Sequence, residues 1–182
     1  MKTGDLCRNT KLLMPKLNIL AINIVKGVNK MQYLVFSLWF TLIHVLSYTL
    51  AGVLALRISK DIYEGRSRLM DYLRDMSDEK ESKHVQKWFI PGQILRGILM
   101  SIILYPILAP LGELSFGIRF LFFIGLMFIY THLSSVAPCS DNIEGLIYLK
   151  ERYINRTLFL KFHFEMIIYS LLLGFFVSFF LF

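Results

Sequence analysis

Two ionisable side chains lie deep inside apolar stretches of this chain. Arg96 is the only charge between Trp88 and Leu111, and Glu165 stands about seven residues into the apolar run that ends at Phe182. A charge in hydrocarbon is costly and persists mostly where it pairs or lines a polar cavity. Both runs enter the membrane from the same face, so at 1.5 Å per residue the two groups reach a similar depth, roughly 10–12 Å. That predicts an Arg96–Glu165 pair, acting either as a salt bridge that fixes helix packing or as part of an ion or solute path.

Three of the four histidines are also intramembrane: His44 at the midpoint of one apolar run, His132 near the end of another, and His163 near the start of the last. His132 and His163 lie near the face that bears Cys139. Imidazole with thiolate can hold zinc or another transition metal, and two histidines on facing helices can ligate haem. The spacing supports neither, because HxxxH, HExxH and CxxC patterns are missing from the sequence. Hydrogen-bonded interior histidines are the expectation, and no cofactor is predicted ahead of that reading. A Cys139 nucleophile served by His132 lacks an identifiable oxyanion or acid partner. Cys7 and Cys139, far apart in sequence, imply no disulfide framework. With no phosphate loop, Walker lysine or nucleophile elbow either, no catalytic residue is assigned.

Small residues recur every four positions: Ser170, Gly174 and Ser178 on one run, Ser47, Ala51 and Ala55 on another, and Gly97 with Ser101 on a third. Such rows let helices approach closely. They serve packing within the monomer or a face for self-association.

The elements that must position these groups follow from composition. The 182 residues are 55% apolar, 15% aromatic and only 18% charged, against about 45–50% apolar and about 25% charged in soluble domains. Mean hydropathy is +0.56. Four runs are long enough to cross about 30 Å of hydrocarbon, which takes roughly 20 helical residues: 32–56, 88–111, 116–136 and 158–182. Continuous runs favour helices over barrel strands, which alternate. The expected architecture is all-α, an integral membrane bundle of four transmembrane helices. Pro91 is expected in the first turn of the second span, and a kink near Pro106 and Pro110.

Residues 1–31 carry six basic side chains and one acidic, with Lys16, Asn23, Lys26 and Lys30 at helical spacings. This reads as an amphipathic helix over about 12–28, lying on the membrane surface. Residues 57–87 carry eight basic and seven acidic residues. Ile62, Leu69, Leu73 and Met76 suggest that the first helix continues into this connection. After Pro138, Asp141 and Glu144 have the spacing of a capping box and predict a helix over 142–156. The two connections share a face and, with Lys161, hold twelve basic residues; the positive-inside rule puts that face in the cytoplasm or matrix.

The composition excludes a secreted disulfide scaffold, a disordered tail and a nucleic-acid-binding domain, despite a net charge of +7. The expected function is a membrane subunit in the lipid bilayer that forms a homo-oligomer or joins a larger complex, with a channel or transport path near Arg96 and Glu165. The alternative is a membrane-embedded enzyme or a haem or metal redox carrier using His132, His163, Glu165 and Cys139. A bacterial or archaeal cytoplasmic membrane is favoured over an organelle inner membrane.

Overall fold

The computed structural model describes residues 30–65 and 69–182. The expected surface helix at 12–28 and Cys7 lie outside the described residues. Among those residues there is no strand, and the protein is an all-α membrane bundle of four spans. The first span is α1 (Lys30–Ile58), followed by the single turn α2 (Lys60–Tyr63). The second runs from α3 (Glu79–Leu104) through a 3-10 turn at Tyr105–Ile107 into α4 (Leu108–Glu113). The third is α5 (Phe116–Ile124), which rewinds into a π-helix at Gly125–Leu133. The short α6 (Ile143–Tyr148) precedes the last span, α7 (Arg156–Phe180).

In the spatial order α3, α1, α7, α5, each helix packs against the next. Phe40, Phe123, Tyr169, Leu173 and Val177 fill the core between them with no exposure at all. Lipid covers the outward apolar side chains, so association between the helices rests on close packing and internal polar contacts. The small residues supply the closeness. A Cβ on Gly97 would lie 3.0 Å from Thr41 Cα, which sets the α1–α3 approach, and one on Gly174 would meet Ile124 and Phe120 of α5 at 3.2 and 3.3 Å. Ser47, Ala51, Ala55, Ser170 and Ser178 are all buried as well. These rows are used up inside one chain.

The connections depart from expectation. The chain does not continue as helix past α2: Gly65, at φ +91°, takes a left-handed conformation suited to glycine and reverses the path. Ile62 and Met70 turn inward with Leu158 to form a second, smaller core, against which Leu69 and Leu73 pack. Asp78 caps α3 by accepting from the Glu81 N–H, and Glu79 and Glu81 complement the helix N-terminus. The helix therefore begins nine residues before Trp88, and Pro91 falls in its interior rather than in its first turn. The expected kink is the 3-10 turn around Pro106. The predicted helix over 142–156 is broken instead, because Leu149 and Lys150 are extended between α6 and a 3-10 turn at Glu151–Tyr153.

The two connections meet. Tyr153 donates to Asp71 at 2.7 Å, Ser140 to the Met70 sulfur at 3.5 Å, and Lys161 pairs with Asp61 at 2.5 Å.

Candidate functional site

Polar side chains converge at the rim where the third and fourth spans meet these connections. His132 comes from the π-helix, His163 from the second turn of α7, and Asp141 from the loop between them. One ligand atom of each lies within 4.8 Å of the others. His132 Nε2 stands 3.1 Å from Asp141 Oδ2, with the two side chains 11% and 5% exposed. The carboxylate is within ion-pair distance but off the ring N–H direction, so Nε2 has no aligned hydrogen-bond partner. His163 Nδ1 lies 2.8 Å from the Phe159 carbonyl. A carbonyl only accepts, so Nδ1 carries the proton and Nε2 is left as the basic nitrogen. Phe159 stacks on His163 at 3.9 Å, and Phe128 sits 5.8 and 5.5 Å from the two imidazoles, giving the group an apolar wall.

The loop delivers Asp141 because the cap falls one residue later than the spacing predicts. Asn142, not Asp141, begins α6: its Oδ1 accepts from the Gly145 and Cys139 N–H groups at 2.7 and 3.0 Å, and its Nδ2 donates to the Ala137 and Ser135 carbonyls at 2.6 and 3.3 Å. Every hydrogen-bonding position of that amide is taken. The Asp141 carboxylate, free of the helix end, reaches His132. Gly145 is required at its position, since a Cβ there would sit 1.5 Å from the Cys139 carbonyl oxygen.

Glu165 lies next to this group, within electrostatic reach of Asp141 and His132. It accepts from the Tyr63 hydroxyl at 3.2 Å. Burial and the Glu165 charge hold that hydroxyl well above the usual phenol range, so it is a durable donor. On its other side Glu165 faces a cavity of about 420 Å³, walled by Tyr48, Gly52, Val53, Met76 and Phe89. Thr49 lines the same space, and its hydroxyl oxygen is buried without a partner.

The expected Arg96–Glu165 ion pair does not form. The depths agree, but α1 stands between α3 and α7. Arg96 lies instead 5.6 Å over the Tyr48 ring while Glu165 is held by Tyr63. His44 is saturated: Nδ1 is 2.7 Å from the Tyr169 hydroxyl and Nε2 is 3.2 Å from Gln93 Oε1. With the amide oxygen as acceptor, Nε2 donates and Nδ1 accepts from Tyr169. This knot ties α1, α3 and α7 together. Cys139 is exposed, and partial burial with the Asp141 charge pushes its thiol up, the reverse of an activated nucleophile.

Sequence reasoning brought His132, His163 and Glu165 to one end of the bundle but missed Asp141, assigned to a helix cap, and Tyr63, Gln93 and Tyr169. Fold and site together define a class, a four-span membrane protein with a histidine–carboxylate group at one rim. No protein-family model matches the chain, and no curated protein or solved structure matches it.

Proposed function

We propose that the protein binds an amphiphile from the bilayer, an apolar chain with a hydrogen-bond-donating head group, in the cavity beside Glu165. The observation that carries this reading is the cavity itself. Its volume falls in the range of small-molecule sites, its walls are mostly apolar, and the Glu165 carboxylate is the charged group among them. A hydroxyl or ammonium head finds the Glu165 carboxylate, while the tail lies along Val53 and Leu56, which are exposed at the cavity edge. The reading as an oligomeric or complex-forming subunit draws instead on the small-residue rows, which pack within this chain.

Native mass spectrometry of protein released from nanodiscs tests this with dodecylamine, dodecanol and dodecanoate. The amine and the alcohol are retained and the carboxylate is not. Glu165→Gln weakens the amine about tenfold, equal to about 1.4 kcal/mol. Gly52→Phe fills the cavity, since a Cβ at Gly52 meets nothing within 4 Å, and removes binding of both. Retention of either probe by the Gly52→Phe protein at wild-type level rules the cavity out.

A further inference from the structure

We infer that His132, Asp141 and His163 bind one divalent transition-metal ion of the zinc class. The inference does not depend on what the Glu165 cavity holds. Two imidazoles and one carboxylate, from the π-helix, the loop that follows it and α7, bring ligand atoms within 4.8 Å of one another. Around a tetrahedral ion with bonds of about 2.0–2.2 Å, two ligand atoms stand about 3.2–3.5 Å apart. His132 Nε2 and Asp141 Oδ2, at 3.1 Å, already have nearly that separation. Since no pair is more than 4.8 Å apart, a side-chain movement at His163 of at most about 1.5 Å completes the triangle.

Four further features fit a ligand group better than an ordinary buried ion pair. His132 Nε2 is almost wholly buried and lacks an aligned partner, a cost that a metal–nitrogen bond removes. The proton on His163 Nδ1 is held by the Phe159 carbonyl, the arrangement that fixes the tautomer of metal-bound histidines and leaves the other nitrogen for the ion. Asp141 is held in place by the saturated Asn142 amide, so the carboxylate is positioned by the backbone and not by the ion. The Phe128 and Phe159 rings exclude water from one side.

Neutral imidazoles with one carboxylate suit zinc, ferrous iron, manganese or cobalt better than cuprous copper, which prefers sulfur. Three protein ligands leave one coordination position open, as in zinc sites that hold a water or substrate.

The test uses the full chain, purified in detergent without a histidine tag, stripped with chelator and titrated with Zn(II) and Co(II). Elemental analysis is expected to give one ion per chain, and Co(II) to give the visible absorption of a four- or five-coordinate site. His163→Gln and Asp141→Asn each lower affinity about a hundredfold or more, while replacing His84, which is exposed on α3, changes nothing. X-ray absorption on the zinc-loaded wild type needs no variant and shows only nitrogen and oxygen at about 2.0–2.2 Å. A sulfur shell near about 2.3 Å places the ion on Cys139 and overturns the inference. So does substoichiometric binding by the wild type, or binding that survives in both variants. That last pattern, with the His132–Asp141 contact intact, means an ion pair only.

Discussion

His44 and the His132–His163 pair are intramembrane imidazoles of one bundle that meet opposite treatment. His44 sits where three helices cross, and both its nitrogens are matched to neutral partners from the other two. The rim pair sits where helices meet loops; one nitrogen is tied to a backbone carbonyl, and another faces a carboxylate it cannot bond in line. Saturation marks a histidine that holds the fold together. Incomplete pairing beside a buried carboxylate is the feature on which the proposed metal site rests. Burial follows the same division, since His44 has no exposure at all while His132 and His163 are only partly buried.

The contrast breaks most visibly at the loop. Gly145→Ala forces a methyl onto the Cys139 carbonyl and is expected to cost about 4 kcal/mol or more wherever the loop stays folded. The alternative is local unfolding, in which case limited proteolysis cuts within 134–150 while the spans resist. A resistant loop with an unchanged thermal midpoint contradicts the geometry.

Next in size is His44→Leu, which takes the imidazole from Gln93 and leaves the Tyr169 hydroxyl only the weak Met127 sulfur acceptor at 3.6 Å. Hydrogen bonds between membrane helices contribute about 0.6 kcal/mol on average, but orphaned buried groups raise the expected loss to about 2–3 kcal/mol. Combining it with Tyr169→Phe tests the knot. The two losses should overlap by about 0.5–2 kcal/mol in thermal or denaturant unfolding, and strict additivity means that the residues act separately.

A smaller effect reads the rim charge. The Asp141 carboxylate helps to hold the Cys139 thiol up, so Asp141→Asn lowers that pKa, raises the thiolate fraction at pH 8 and speeds maleimide labelling. An unchanged rate means that the carboxylate does not reach the thiol.

The smallest expected effect is the sharpest. In metal-free protein His163→Gln costs only about 1 kcal/mol, because it gives up one bond to the Phe159 carbonyl and the Phe159 stack rather than a link between helices. A loss comparable to that of His44→Leu removes the distinction on which the rim reading stands.

The spans were legible because hydrophobic length is a local property. Runs placed at 32–56, 88–111, 116–136 and 158–182 correspond to helices at Lys30–Ile58, Glu79–Glu113, Phe116–Leu133 and Arg156–Phe180. Charged helical extensions were not, since the turns Glu79–Lys87 form on a capping residue rather than on apolar periodicity. The candidate site was half visible. His132, His163 and Glu165 stood out as polar groups in apolar runs, but pairing Arg96 with Glu165 needed the spatial order of the helices, which depth cannot give. Asp141 was noticed for its spacing to Glu144 and so misassigned, because Asn142 beside it caps equally well and the choice is made by Gly145 and the Cys139 carbonyl. Nothing in the composition of Gly125–Leu133 announces a π-helix.

That rewound segment has a mechanical consequence. The third span, at 18 residues, is the shortest of the four, and nine of those residues are wound in i→i+5 turns that rise less steeply than α-helix. At 1.5 Å per residue even a full α-helix of that length covers only about 27 Å, less than an average hydrocarbon core. Rewinding the π turns as α would lengthen the span and, in the same motion, change the angular position of His132 about the helix axis. Bilayer thickness and the geometry of the rim are in this way coupled variables. A thicker membrane favours the longer form.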